Sequence, residues 1–234
     1  MTDVSAGKIY LSAERGYNET ERLRSFSTFN FGNFFNPHKS ALGGLYVLND
    51  DTIAGGHSVK MHIDQDSFVV FIPVVGTIDY DDSLGNHSLV SAGEMKIIPV
   101  PAGTFIEVGN PYEHQLVNYL HLRIKISGRS LASPFTLSFD IAQNKNKLID
   151  ITGNSEVQCQ LPFKMSMVKL EGRKEIIYDM VKDNSLFYTY VIEGAFEVAG
   201  RLLHPKDGLA LWNIKQVDAE ALSNDAILLL MELY

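Results

Sequence analysis

Short apolar runs separated by turn residues are the feature that most constrains what this chain can fold into. The runs are rich in Val, Ile, Phe and Tyr, are bounded by Gly, Asn, Asp and Pro, and show little helical periodicity. Many such runs at close spacing are typical of a β-sandwich, jelly roll or barrel. The sequence therefore predicts an all-β protein, with strands over residues 44–48, 68–75, 88–90, 95–100, 115–126, 135–141, 164–170, 187–192, 195–198, 208–211 and 226–233.

The predicted strand 68–75 is apolar at both of its alternating sets of positions. A strand with one solvent-exposed face alternates between apolar and polar residues. A strand that is apolar throughout is therefore expected to be covered on both faces. We therefore expect a second domain or another subunit to pack on the outside of the barrel that contains this strand.

An approximate internal repeat divides the chain into two similar halves. Residues 74–79 precede a turn at 82–86 and then Gly93, and residues 192–197 precede a turn at 199–200 and then Gly208. This order predicts two β-rolls in tandem, over 1–130 and 131–234, that share an apolar interface. The crossover is expected in residues 127–146, which are rich in Ser, Asn and Lys.

The composition limits the classes of binding partner and the cellular compartment that we expect for this protein. The 234 residues carry a formal net charge of −8 and are 45% hydrophobic, which excludes disorder and disfavours direct nucleic-acid binding. Residues 1–24 lack the apolar core of a signal peptide, no stretch is long and apolar enough to cross a membrane, and the single Cys159 excludes an internal disulfide. We expect a cytoplasmic protein whose partner is a small apolar or aromatic molecule or another protein, with neither nucleic acid nor membrane as a partner.

Two spaced motifs in the N-terminal half carry a family resemblance. The first runs through Gly56, His62, Asp64, Phe68 and Gly76, and its spacing resembles the first cupin motif. The second motif is similar to the second cupin motif and contains Gly93, Gly103, Ile106 and Asn110. Both barrels predicted above are therefore interpreted as cupins.

Further segments narrow the resemblance to one group of cupins. Residues 13–16, 27–37 and 45–51 look like the opening of pirin-like proteins, and residues 82–86 match their hairpin. The chain thus resembles the pirin family of two-cupin proteins, which includes bacterial quercetin dioxygenases. The resemblance implies two tandem cupin barrels (double-stranded β-helix, jelly-roll) packed face to face, with metal ligands in the first barrel only.

In that family the metal is usually iron, held by three histidines and one glutamate. Carried over one by one, the two histidines of the first motif fall on His62 and Asp64, and its glutamate position falls on Phe68. The histidine of the second motif falls on Ile106. Pirin-like members place their one glutamate two residues beyond that histidine instead of in the first motif, and Val108 stands there. The resemblance thus implies a site in which three of the five positions are apolar.

The donor set decides whether a metal is expected. A non-heme iron site needs at least about two histidines and a carboxylate, whereas only His62 and Asp64 supply donors here. At positions i and i+2 of a strand, these two side chains would share a face. The sequence therefore predicts a degenerate metal site and no cofactor, with His62 and Asp64 as vestigial ligands and with Phe68, Ile106 and Val108 completing the lining of a pocket.

Two other features receive a structural interpretation. Five phenylalanines between residues 26 and 35, Phe26, Phe29, Phe31, Phe34 and Phe35, suit a segment laid against a barrel better than a ligand-stacking face. The histidines other than His62, including His121, show no second metal-ligand spacing and are interpreted as surface or hydrogen-bonded residues.

Three functions remain open at this point. The first, which we favour, is a non-catalytic bicupin that binds a small molecule or a protein. The second is a quercetin 2,3-dioxygenase-like, metal-dependent oxygenase. The third is a metal-free cupin enzyme that uses His62 or Asp64 as an acid/base group. Since cupins host many chemistries, the choice depends on the site and not on the fold.

Overall fold

The all-β prediction is confirmed by the structure, a computed structural model that describes residues 5–126, 133–153 and 161–234. Cys159 lies outside these residues. The described residues contain one 3₁₀ turn, Ser12–Glu14, and no helix in them is long and apolar enough to span a membrane. The strands are β1 (Gly7–Tyr10), β2 (Gly16–Glu19), β3 (Leu23–Ser27), β4 (Leu45–Ile53), β5 (Ser58–His62), β6 (Ser67–Val75), β7 (Thr77–Asp82), β8 (His87–Ser91), β9 (Glu94–Val100), β10 (Phe105–Gly109), β11 (Val117–Lys125), β12 (Phe135–Ser138), β13 (Ile149–Asp150), β14 (Phe163–Leu170), β15 (Glu175–Asp179), β16 (Leu186–Glu193), β17 (Phe196–Val198), β18 (Arg201–Leu203), β19 (Gly208–Leu211), β20 (Gln216–Ala221) and β21 (Ala226–Leu233).

The strands form two units whose boundaries differ from the predicted ones at 1–130 and 131–234. The described residues of 15–139 form the N-terminal unit, and those of 1–14 and 140–234 form the C-terminal unit. The difference arises from strand pairing: β1 lies antiparallel to β19, with Gly7 opposite Leu211, and β12 lies antiparallel to β9. Each of these strands therefore belongs to the unit whose sheet it extends.

The N-terminal unit contains a seven-stranded sheet of order β12-β9-β6-β11-β4-β3-β2 and a four-stranded sheet of order β5-β10-β7-β8. Residues from both sheets meet in one buried apolar cluster, here called the N-terminal core. Its members are Ile53, Ile63, Val69, Phe71, Ile78, Tyr80, Val90, Ile98, Val100, Ile106, Val108, Val117 and Tyr119. The face of each sheet that carries these residues is thus the interior of the roll.

Strand β6 is buried on both faces, as its sequence predicts. Val69 and Phe71 belong to the N-terminal core, while the alternate residues Phe68, Val70 and Ile72 are each at most 1% exposed. Since successive side chains of a strand point to opposite faces, Phe68 projects away from the interior of the roll.

The C-terminal unit repeats this arrangement with a six-stranded sheet, β1-β19-β16-β21-β14-β13, and a four-stranded sheet, β15-β20-β17-β18. The repeat is visible in the backbone: Gly76 joins β6 to β7 with φ of 82°, and Gly194 lies between β16 and β17 with φ of 77°. Glycine adopts this left-handed conformation without the steric cost that other residues meet. Equivalent hinges therefore stand at equivalent places in the two rolls.

Candidate functional site

The residues predicted to line one pocket do not share one face. In the antiparallel pair of β5 and β10, Met61 lies opposite Ile106 and His62 lies opposite Phe105. Ile106 and Val108 are buried in the N-terminal core, so Met61 is the neighbour that shares their face. His62 projects with Phe105 on the other face, and their ring centroids are 4.9 Å apart. The structure therefore separates His62 from Ile106 and Val108.

His62 and Asp64 are brought together, as a hydrogen-bonded pair at the end of β5. The His62 Nδ1 atom lies 2.7 Å from Asp64 Oδ1, and the two side chains are 44% and 86% exposed. Phe68 lies apart from both and projects away from the interior of the roll. Of the five predicted residues, only His62 and Asp64 thus occupy a position that solvent reaches.

A group of polar residues that the sequence analysis missed lies inside the same roll. Asn49 and Asp51 alternate along β4, and Tyr119, His121 and Arg123 alternate along the neighbouring β11. Tyr119 belongs to the N-terminal core and lies opposite Asp51, while His121 lies opposite Asn49. These five residues, here called the interior polar cluster, are each at most 3% exposed.

Hydrogen bonds within the interior polar cluster orient His121. The Arg123 Nε–H donates to His121 Nε2 over 3.1 Å, so Nε2 is the acceptor and the proton of a neutral ring is assigned to Nδ1. The ring stacks on Phe71 with centroids 5.2 Å apart, and Nδ1 lies 3.7 Å from Asp51 Oδ2. Burial lowers the pKa of His121 to about 4 against the opposing effect of Asp51. The imidazole is therefore neutral near pH 7.

Several polar atoms of this cluster have no hydrogen-bond partner among the described residues. They are both amide atoms of Asn49, Asp51 Oδ1, Tyr119 Oη, His121 Nδ1 and Arg123 Nη2. A buried polar group without a partner costs about 1–3 kcal/mol, and native proteins contain few of them. Such a concentration in one place marks the cluster as the candidate site.

Two cavities reach the charged members of the interior polar cluster. The Arg123 cavity has a volume of about 430 Å³ and is also lined by Tyr46, His62 and Asp64. The Asp51 cavity has a volume of about 410 Å³ and is also lined by residues of β2 and β3. Both cavities share Phe31, Gly32 and Met61 as lining residues.

Phe31 covers the cluster. Its ring centroid lies 5.4 Å from Arg123 Cζ and 6.3 Å from the His121 ring, which it meets edge to face. Phe31 and Phe34 exchange backbone hydrogen bonds of 3.2 and 3.0 Å around Gly32, and both line the Asp51 cavity. Phe29 is buried and Phe35 is 77% exposed, so the phenylalanine-rich segment combines packing with cavity lining.

A second group of possible metal donors lies outside the roll. Asp79 and Asp81 of β7 and His87 of β8 place one donor atom each within 4.8 Å of the others. The His87 Nδ1 atom is 3.1 Å from Asp81 Oδ1 and 3.4 Å from Asp79 Oδ1. These groups are partly or fully exposed and partner one another, which is the ordinary arrangement of surface charges.

One signal in the sequence could have revealed the interior polar cluster. His121 and Arg123 are polar residues two apart in a largely apolar strand, and Asn49 and Asp51 are two apart in β4, where Asp50 and Thr52 are polar as well. That spacing places both members of each pair on one face of the strand. Of the two interpretations given above for His121, surface or hydrogen-bonded, the structure shows the second, with a fully buried ring that accepts a hydrogen bond from Arg123.

Comparisons with known proteins agree with this architecture. The family model described as pirin matches residues 10–120, and the model described as the quercetinase C-terminal cupin domain matches residues 152–233. A curated quercetin 2,3-dioxygenase of Escherichia coli K12 is 25% identical over 228 residues, which are 94% of this chain and 97% of that protein.

Solved structures show the same fold. The crystal structure of YhhW from Escherichia coli superposes with a TM-score of 0.85 at 21% identity and covers 98% of both chains. The complex of the bacterial pirin YhhW with nickel(II) superposes with a TM-score of 0.82, again at 21% identity, over 97% of this chain and 99% of that one. With both family models matched in tandem over most of its length, the chain belongs to the pirin family of two-cupin proteins.

Proposed function

We propose that this pirin-family protein holds no metal inside its N-terminal roll and acts as a non-catalytic binder of a small organic molecule. The observation that carries the proposal is the chemistry of the inward positions where β5 and β10 meet. Met61, Ile63, Ile106 and Val108 occupy these positions, and all four are apolar.

These residues do not fit a divalent metal. Nickel and iron take imidazole nitrogens and carboxylate oxygens, whereas the four inward side chains offer a single thioether sulfur. The loss of hydration free energy on burial of a divalent ion among alkyl groups would far exceed the free energy gained from one thioether contact. His62 and Asp64 add two donors, but His62 projects from the other face of the strand pair. The inward positions of this roll thus hold no ligand set for a divalent ion.

The two cavities support the binding role. Their volumes of about 430 and 410 Å³ lie within the range of roughly 300–1,000 Å³ that is typical of small-molecule sites. Phe31 and Met61 supply apolar walls to both. Arg123 and Asp64 supply charged groups to the first cavity, and Asp51 supplies one to the second. An apolar wall with a few polar groups orients an organic ligand.

Elemental analysis tests the absence of a metal. The protein is purified without chelator, exposed to nickel, iron, copper, manganese or zinc, desalted, and analysed by mass spectrometry. We expect no stoichiometric metal once the surface donors are removed in the double variant Asp79→Asn/His87→Gln. One metal per chain that survives in this variant and disappears in His62→Ala would contradict the proposal, and an oxygenase assay with flavonols would follow.

A metal-free acid/base enzyme is the second candidate. The observation in its favour is the His62–Asp64 pair, 2.7 Å apart on the wall of the Arg123 cavity. A carboxylate that orients a partly exposed imidazole is a common general-base arrangement. Turnover of any cavity ligand that is lost in His62→Gln while binding persists would favour this candidate over the non-catalytic one.

A further inference from the structure

We propose that the molecule bound in these cavities is a small hydroxy-carboxylate, whose carboxylate binds Arg123 and whose hydroxyl binds Asp51 and Asn49. This inference rests on the proposed function, since it assumes that the cavities hold an organic molecule. It adds the chemical class of that molecule, the residues that recognise it and the residue that covers it.

The carboxylate is inferred from the state of Arg123. Its side chain is buried, and no carboxylate among the described residues forms an ion pair with it. Burial lowers the pKa of Arg123 against the opposing effects of Tyr46, Asp64 and Asp51. Two of its donors are used by neutral acceptors, Nε by His121 Nε2 and Nη1 by the carbonyl of His62 over 3.0 Å. Nη2 has no acceptor. A buried guanidinium without a carboxylate in direct contact is costly, and a carboxylate is the partner that fits its planar donors.

The hydroxyl is inferred from the other end of the interior polar cluster. Asp51 Oδ1 and Asn49 Oδ1 are acceptors without a donor, and Asn49 Nδ2 is a donor without an acceptor. A hydroxyl both donates and accepts, so it can serve both residues. A second carboxylate in this place would be repelled by Asp51, which favours a hydroxylated monocarboxylate over a dicarboxylate.

Phe31 covers the polar groups of this site in the structure. Its ring lies on the Arg123 guanidinium, and it lines both the Arg123 cavity and the Asp51 cavity. Phe31 is carried by a short hairpin whose next two residues, Gly32 and Asn33, are exposed. Because the Phe31 ring lies on the guanidinium, movement of this side chain exposes the guanidinium further to the Arg123 cavity. Phe31 is therefore assigned as a cover that the ligand displaces.

The test is calorimetric titration of the metal-free, full-length protein with three matched compounds. Gluconate carries a carboxylate and hydroxyls, sorbitol carries hydroxyls only, and hexanoate carries a carboxylate only. We expect gluconate to bind at least about tenfold more tightly than either of the others, because only gluconate satisfies both ends of the cluster. This comparison uses the unmodified protein, so it does not depend on the folding of any variant.

Variants then assign the residues, and each is checked for cooperative thermal unfolding. Arg123→Gln is expected to weaken gluconate binding by at least about thirtyfold, and Asp51→Asn by about tenfold. Phe31→Ala is expected to strengthen it severalfold, because the cover no longer has to move. His87→Gln, on the outer face of the four-stranded sheet, is the matched control and should stay within about twofold.

The outcomes separate this inference from the proposed function. If sorbitol or hexanoate binds as tightly as gluconate, the hydroxy-carboxylate class is overturned while small-molecule binding stands. If gluconate binds and Arg123→Gln has no effect, the assignment of Arg123 is overturned. If no compound binds, the inference is overturned, and buried water is the occupant of the cluster. Binding of an organic molecule only after metal is added would overturn the proposed function itself.

Discussion

The interiors of the two rolls each contain buried ionisable side chains, but the hydrogen bonds of these side chains are complete in one roll and incomplete in the other. In the C-terminal unit the fully buried Glu232 accepts hydrogen bonds from Tyr178 Oη over 2.9 Å and from the backbone N–H groups of Val181 and Lys182. In the N-terminal unit Arg123 and Asp51 are at most 3% exposed, and each keeps a polar atom without a partner.

The difference distinguishes a structural network from a site. Glu232 joins β21 to the end of β15 and to the loop after it, and its contacts are complete within the fold. A complete buried network adds rigidity and specificity, whereas an incomplete one is costly to the folded state unless something else completes it. The C-terminal roll therefore completes the hydrogen bonds of its buried charge within the fold, whereas the N-terminal roll leaves polar atoms open, as the proposed binding role requires.

The largest expected effect tests the structural side of the comparison. Glu232→Ala should lower the free energy of unfolding by roughly 3–5 kcal/mol, since it leaves a buried hydroxyl and two N–H groups without an acceptor. Urea unfolding measures the loss. Glu197→Ala, on the exposed side of β17, is the control and should change stability by less than about 0.5 kcal/mol. A loss below about 1 kcal/mol in Glu232→Ala would remove the distinction between the two rolls.

The next effect tests which face of β10 is interior. Ile106→Ala should cost about 3 kcal/mol because it opens a cavity in the N-terminal core. Its neighbour Phe105 is 46% exposed, so Phe105→Ala should cost less than about 1 kcal/mol despite the larger side chain. Equal losses in the two variants would mean that the described register of β5 and β10 is not the one in solution.

The third prediction concerns pH and the buried His121. Burial holds its pKa at about 4 in the folded protein, below the value of 6.5 for a free side chain. The unfolded chain therefore binds more protons than the folded protein between these pH values. The contribution of His121 to the free energy of unfolding is fully present above about pH 6.5 and falls by up to about 3 kcal/mol towards pH 4. Urea unfolding at pH 7.5 and pH 5 measures the loss in the unmodified protein. His121→Asn should reduce it, and an unchanged pH dependence in that variant would refute the assignment.

The smallest effect compares two buried asparagines of the N-terminal unit. Asn110 is satisfied, since Nδ2 donates to the carbonyls of Ile53 and Gln115 and Oδ1 accepts from the N–H of Tyr112. Asn49 has no partner for either amide atom. Asn49→Leu should therefore change stability by at most about 1 kcal/mol, in either direction, whereas Asn110→Leu should cost about 2–3 kcal/mol. Similar losses in both variants would show that Asn49 is satisfied in solution.

Local pattern was sufficient to predict several features. The apolar runs predicted an all-β chain, the two-faced apolar pattern of residues 68–75 predicted the burial of both faces of β6, and the repeat predicted two rolls in tandem. Motif spacing was enough to place the chain in the pirin family, which the family models confirm. Each of these features depends on residues that are near one another in the chain.

The positions of the candidate site residues depended instead on strand register and on pairing between strands far apart in the chain. The motif spacing assigned ligand positions to His62 and Ile106, but β10 pairs with β5 so that Met61 lies opposite Ile106. A shift of one residue in the pairing of two strands moves the side chains of one strand to the other face of the sheet. The residues of a single strand do not show which residues of the neighbouring strand lie opposite them.

The sequence by itself thus determined the fold class, the tandem repeat and the family. Only the tertiary structure placed β1 in the C-terminal unit and brought Asn49 and Asp51 beside His121 and Arg123. The physical reason is that a site of this kind consists of atoms from strands far apart in the chain. Their pairing is set by the packing of the whole sheet and not by the residues on either side of them.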